Sequence, residues 1–507
     1  MGENRSRLGR LLGRLRPQAG FALVMALGVM TVLGLAGSSI VFFSTANSGE
    51  AARSSADNAA FALAEAGINN ALAKLRGPNV NPFNPYLLSS QTTTYDTGTS
   101  TWSGTLDETT GVWTLTGVGT TRNPTGVNAV PVQRHASITV PVTPAPEQPV
   151  QQSWNYIYSR QRGMTCDMTI GNSVQVDSPL YVSGNLCLQN TATITKGPLY
   201  VGGRLTMAQS ANAVGSATNT IAGAHVVGGC KWYTNTLHSP CLSGAGSAGK
   251  DNVWASPLDA VAGSTPAPTV SWDAWYLNAD PGAYYPCNVV SGTPPRFDDD
   301  QGARTSPDPT KRNDSLNTSP VADLTPAASY SCKTTAGELS WDATNRVLTV
   351  NGTIFIDGSA KVANGAVNSY TGVGTLYLSG TLLMQNSSLC AMVSSDGSGC
   401  TTAGWTPDSR LLVIVSNGNG SWGGAAGQVV AGDSIQFVSA TFQGALYGTY
   451  IIDLGTTSRV DGPMDGSTVK LGQSVGSSYP TISLGPIGAP GTTPVYGTVG
   501  TPSGFNG

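Results

Sequence analysis

Thirty consecutive residues, Gly20 to Gly49, carry no charge, and five arginines (Arg5, Arg7, Arg10, Arg14, Arg16) stand before them against a single acidic Glu3. Phe21 to Phe43 alone is 23 residues, enough to cross a hydrocarbon core of about 30 Å as a helix. Positive charge on its N-terminal side holds that end in the cytoplasm, so the rest of the chain is expected outside. An ordinary secretory signal has an apolar core of roughly 7–15 residues and a small-x-small cleavage site. This run is longer, and helical patterning continues beyond it. Phe61, Ala64, Ile68, Leu72 and Leu75 recur at spacings of three and four, which places them on one helical face. Gly77-Pro78 then ends the helix, because Gly accepts the left-handed cap and Pro cannot continue the hydrogen-bond ladder. A helix over 21–76 would be on the order of 80 Å long at its usual rise per residue. A simple anchor has no need of that length.

The remainder reads as an exported, mainly β protein. Charged residues are 11% of the chain, under half the roughly 25% usual for soluble domains. The 63 glycines accompany a 40% hydrophobic fraction, too apolar for disorder. Beyond residue 20 there are 21 basic and 28 acidic residues and no basic stripe, so nucleic acid is not an expected partner. All eight cysteines lie past the apolar run: Cys166, Cys187, Cys230, Cys241, Cys287, Cys332, Cys390 and Cys400. That suits disulfides in an oxidising compartment. Short gaps favour Cys230–Cys241 and Cys390–Cys400, and the 21-residue gap between Cys166 and Cys187 suits a bridge between adjacent repeats. No CxxC occurs, and His135, His225 and His238 lack paired ligand spacing, so zinc is not expected.

Two motifs in the N-terminal part, taken with the apolar run between them, carry a family resemblance. Gly20-Phe21-Ala22-Leu23-Val24-Met25-Ala26-Leu27 follows the basic leader, and Ala60-Phe61-Ala62-Leu63-Ala64-Glu65-Ala66-Gly67-Ile68 follows the apolar run. In this order they resemble the class III leader and the AEAG segment of PilX-like type IV minor pilins. The resemblance covers roughly residues 15–76 and implies a leader of residues 1–20, cut after Gly20 by a prepilin peptidase, with methylation of Phe21. It implies a stem helix over 21–76, held as a single pass in the inner membrane and then assembled with other major and minor pilins into a surface pilus. Major pilins carry Glu where this chain has Met25. In the family that Glu pairs with the amine of a neighbouring subunit, so its absence implies a place near the filament tip, in assembly or priming, with adhesion to a surface or glycan as a further role.

The expected fold class is α+β: the long helix, a small β-sheet over 77–142, then a mainly β head. Alternating segments such as Gly111–Thr116 and Ala136–Val142 give the sheet. A stiff Pro-rich linker over 143–149 marks a boundary. The head, 150–507, contains a repeat: Ser178–Leu188 is matched by Gly197–Met207, and Gly352–Gly358 by Gly374–Gly380, with a weaker echo at Gln443–Gly448. Short strands ending in Gly at such periods fit a right-handed parallel β-solenoid, whose coils bury their apolar residues by stacking; a β-sandwich is the alternative. Residues 208–345 read as a disulfide-pinned insertion and a preferred contact surface.

Motifs for chemistry are weak. Gly418-Asn419-Gly420-Ser421-Trp422-Gly423 matches a dinucleotide loop after the apolar strand Leu411–Val415, but a helix must follow and the sequence there is Gly-rich. Gly472-Gln473-Ser474-Val475-Gly476 matches a nucleophile elbow, yet every histidine precedes Ser474. Asp298, Asp299, Asp300, Asp308, Asp314 and Asp323 could offer oxygens to Ca²⁺ but lack EF-hand spacing. Asp357 sits in a turn where a β-helix lyase or hydrolase could use a carboxylate, and Trp272-Asp273-Ala274-Trp275-Tyr276 could stack on sugars. No catalytic residue, metal or cofactor is assigned, and the chain is not expected to be an enzyme. The alternatives are a membrane-tethered, polysaccharide-active β-helix and a type II secretion pseudopilin.

Overall fold

The computed structural model describes residues 6–507, apart from 260–264, 271–286, 290–320, 419–432 and 473–475, and apart from short breaks at 79, 81, 84–86, 108–109, 127–128, 145–147, 150, 334–336, 357–358, 379, 456, 478–481, 483, 486–487 and 493–496. One long N-terminal helix, α1 (Ser6–Leu75), is followed by a mostly β chain. The helix begins before the expected Phe21 and passes through the Gly20–Phe21 junction without a break. It ends as expected: Arg76 N–H reaches Leu72 O (2.9 Å), Gly77 N–H reaches Lys74 O (3.2 Å), and the ladder stops at the Gly-Pro pair.

The C-terminal half of α1 lies on an antiparallel sheet of β1 (Gln91–Tyr95), β2 (Gly98–Asp107), β3 (Val112–Thr121) and β4 (Val132–Pro144), in that order. Its buried stripe is Ala56, Ala60, Leu63, Ala64, Ile68, Ala71 and Leu75. Ala64, Ile68 and Leu75 were expected there, whereas Phe61 and Leu72 are only partly buried. Small residues dominate because the sheet meets them with glycine. A Cβ added at Gly119 would stand 1.8 Å from Ala60 O, and one at Gly117 would stand 2.1 Å from Ala64 O. The helix backbone therefore rests directly on β3. Trp113 is fully buried and donates its indole N–H to Pro82 O at 2.7 Å. Arg134 on β4 grips Asp57 on α1 through two hydrogen bonds of 2.7 and 2.5 Å; both groups face solvent, so the pair adds little.

Beyond β4 the strands pair mainly in parallel. One sheet has ten strands and a second has twenty-one. The repeats seen in the sequence lie on one another in register: Leu180, Tyr181 and Val182 pair with Leu199, Tyr200 and Val201. Gly352 to Ile356 likewise pair with Gly374 to Leu378. Each lap of chain places its apolar residues over those of the next, and one continuous core results.

The order of laps does not follow the chain. The first, around Ile157–Ser159 and Met168–Ile170, sits within the stack. Residues 168–232 supply four strands of the ten-stranded sheet on one side of a seam, and residues 321–471 supply six on the other. At the seam Met464, Asp465 and Gly466 pair with Ile157, Tyr158 and Ser159, and Leu471 pairs with Ile170.

Three boundaries differ from expectation. Residues 143–149 are not a free linker, since β4 runs to Pro144 and Gln148–Pro149 pairs with Leu484–Gly485. The unit 150–507 does not end as one piece: Gly497–Val499 and Ser503–Asn506 return to pair with β4. The expected insertion at 208–345 is shorter, because Ala213–Val214, Ala224–Val226, Cys230–Trp232 and Leu258–Asp259 continue the laps. Near its other end, Cys287–Val289, Tyr330–Lys333, Gly337–Asp342 and Val347–Ile356 form an antiparallel run at the end of the stack.

Cys166–Cys187, Cys230–Cys241 and Cys390–Cys400 are disulfides. Cys332 is also disulfide-bonded and lies opposite Cys287 in the strand register. Cys166–Cys187 joins successive laps across 21 residues. Replacing both cysteines by serine is expected to lower the unfolding free energy by about 3 kcal/mol, read as a lower denaturant midpoint. An unchanged midpoint would show that lap stacking alone holds these two laps together.

Candidate functional site

The part of the molecule least explained by its own packing is the N-terminal half of α1. An α-helix built from Phe21 to Phe43 turns apolar side chains to every side, and no other segment among the described residues covers them. Phe21 is 69% exposed and Met25 58%. The most apolar 18-residue window between Phe21 and Leu75 has a mean hydropathy of 2.1 and no buried share. Water penalises such a surface at roughly 25 cal/mol per Å², so it calls for a membrane or for other apolar helices.

Hydroxyls in this stretch and just beyond it are suited to such surroundings. Thr31 Oγ1 donates to Leu27 O (2.6 Å), Ser38 Oγ to Gly34 O (2.7 Å), Ser39 Oγ to Leu35 O (2.7 Å) and Thr45 Oγ1 to Val41 O (2.9 Å). Each hydroxyl is satisfied one turn back along its own helix, leaving no hydrogen-bond demand on apolar neighbours. Gly20 and Phe21 lie within the continuous helix, and Met25, one turn on, presents a thioether where a carboxylate would have brought charge.

The other candidates scatter. Gly418 follows the fully buried strand Leu411–Ser416, and its N–H is committed to Gly380 O at 2.8 Å; positions 419–423 lie outside the described residues. Gly472 N–H bonds Leu454 O (2.8 Å), while Ser474 lies outside the described residues. So do Trp272, Trp275, Asp298, Asp299, Asp300, Asp308, Asp314 and Asp357. Asp323 is described: it lies 3.4 Å from Lys361 Nζ and accepts from Thr325 N–H at 3.0 Å. His225 pairs with Asp259, His238 lies 2.6 Å from Asp251, and His135 is exposed on β4. Cys230, Cys241 and Asp251 come close enough together for a metal, but the two sulfurs are bonded to each other and offer no thiolate.

Sequence reasoning missed one cluster. Asp465 is 1% exposed, beside Arg160 Nε at 2.8 Å. Arg160 lies over the Tyr447 ring, 4.8 Å from its centroid. Burial pushes the Asp465 carboxyl up to about 8, against the opposing pull of Arg160. In the same row of the sheet Tyr158, Tyr181 and Tyr200 stack at 4.4 and 4.1 Å. Tyr158 donates to Thr265 O (2.8 Å) and Trp154 Nε1 to Pro490 O (2.5 Å), so neighbouring segments cover the row. No local motif announces this group, because its members come from opposite ends of the β chain.

No family model matches the sequence, and no curated protein matches it. Among solved structures the chain is similar to the competence-associated pilin ComZ from Thermus thermophilus. Identity is 14%, over 89% of this chain and 97% of that one, with a TM-score of 0.34. A superposition that loose carries no structural argument.

Proposed function

We propose that this chain is a PilX-like minor subunit of a type IV pilus, placed near the filament tip, where it takes part in assembly or priming and presents its head to a surface or glycan. The observation that carries the reading is the uncovered apolar half of α1, whose hydroxyls are satisfied within the helix, behind an arginine-rich leader and a Gly20–Phe21 junction. In this reading a prepilin peptidase cuts after Gly20 and Phe21 becomes the methylated N-terminus. The helix spans the inner membrane once, then leaves it to pack among the helices of other major and minor pilins. Met25 removes the charge that would pair with the subunit ahead, which suits a subunit with none ahead of it. The head acts as a parallel β-solenoid and not as an enzyme; parallel, in-register pairing of the repeats supports that architecture over a sandwich.

Mass spectrometry of the protein from its host tests the reading. The expected mature chain begins at N-methylated Phe21, and Gly20→Glu leaves the unprocessed chain in the membrane. A wild-type chain that keeps its leader, or Gly20→Glu protein that matures normally, would overturn it.

A further inference from the structure

We propose that the seam where the last lap of the head closes on the first is a pH-sensitive latch, held shut by Asp465 in its neutral form beneath Arg160 and loosened when that carboxyl gives up its proton. At the seam the pairing partners come from distant parts of the chain. Thr468 Oγ1 donates to Gln161 Oε1 (2.6 Å) across 307 residues, while Leu186 pairs with Leu205 and Ile452 with Val469 on neighbouring laps. No short connection enforces closure there. Closure rests on the backbone bonds Arg160 N–H to Gly466 O (3.0 Å), Gln161 N–H to Ser467 O (2.8 Å) and Gly171 N–H to Leu471 O (2.8 Å). Apolar contact among Ile157, Met168, Ile170, Met464 and Leu471 completes it.

Asp465 stands in the middle of this join. Its register neighbours are Tyr158 on the first lap and Tyr447 on Ala445–Gly448. Arg160 approaches from the segment after the first-lap strand, and Arg162 acts on Tyr158 beside it. Although Arg160 Nε lies 2.8 Å from Asp465 Oδ1, neither that nitrogen nor either carboxyl oxygen has a hydrogen-bond partner among the described residues. The two terminal nitrogens of the guanidinium spend hydrogen bonds elsewhere, on Tyr447 Oη (2.9 Å) and on Gly448 O. An ionised carboxylate here would lose its water and gain only Coulomb attraction, whereas a neutral acid loses much less.

The direction follows from linkage. A carboxyl raised to about 8 in the closed state lends its stabilisation fully below the free-carboxyl value of about 4 and loses it as pH climbs through 8. If opening returns Asp465 to water, the opening constant rises on the order of a hundredfold between about pH 6 and about pH 9.

Amide hydrogen exchange on the full-length protein in detergent reads this directly. The seam amides of Arg160, Gln161 and Gly171 are compared with Leu186 and Leu205, which bond within the first laps. Expected is a loss of seam protection, relative to those references, of the order of a hundredfold over that pH interval. Asp465→Asn, which mimics the neutral acid, should show no differential loss. Equal loss in Asp465→Asn, or no differential loss in the wild type, overturns the latch. A measurement on the wild type alone keeps the test decisive if the variant fails to fold. Infrared difference spectra over the same interval should show a protonated, buried carboxyl band disappearing, and its absence at the acidic end also overturns the proposal.

Discussion

Gly119→Val should destabilise the unit of stem helix and small sheet by about 3 kcal/mol or more, since overpacking against immovable backbone is among the costlier single changes. The atom in the way is Ala60 O, 1.8 Å from where the new Cβ would stand, with Ala64 N at 2.6 Å. Neither is the flexible end of a side chain, so relief requires the helix to lift from β3. Lifting it would also open the contacts of Ala60, Ala64 and Ile68. Thermal unfolding followed by circular dichroism reads the effect. Gly126→Ala serves as the control, since its added methyl meets nothing closer than 3.9 Å. A Gly119→Val protein as stable as that control would show that the helix does not lie so close to the sheet.

The second large effect concerns the uncovered half of the helix. Leu33→Asp is expected to add about 2.5–3.5 kcal/mol to the free energy of placing that stretch in hydrocarbon. Leu33 is among the exposed apolar residues and is not part of either buried core among the described residues, so the β part should fold and unfold as before. On the proposed membrane placement, what changes is membrane retention, read by carbonate extraction and fractionation, and with it the amount of protein reaching the surface. Ser54→Asp, on the exposed face beyond the apolar run, should leave both unchanged. Full membrane retention of Leu33→Asp would mean that this stretch does not sit in hydrocarbon.

The contrast between those two positions shows what a sequence exposes. The uncharged run, the Gly77-Pro78 stop and the paired repeats are local signals, fixed by neighbours a few residues or one lap away. Each appears in the structure where the pattern puts it, and the short-gap disulfides do so for the same reason. The buried stripe was only half legible. Hydrophobic spacing weights large residues such as Phe61 and Leu72, while the closest contact is made by alanines that matter because Gly117 and Gly119 leave room for them. Seam, returning C-terminal strands and the Arg160–Asp465 pair were not legible at all. Each depends on which distant strand a segment meets, and alternation along a strand carries no record of its partner.

Those returning strands bear on how the head can move. The chain leaves the small sheet along β4 and comes back beside it at Gly497–Val499, with Gln148–Pro149 and Leu484–Gly485 paired between. Arg76, just past the end of α1, also donates to Gly500 O at 3.2 Å. A single tether would let the head spin like a flag on a cord. Two chains running side by side and bonded to each other act as a strap, which resists twisting about its own length. The first strand past the strap, Ile157–Ser159, pairs at the seam, so a load on the laps of either side passes through the same two bonded chains before it reaches the helix.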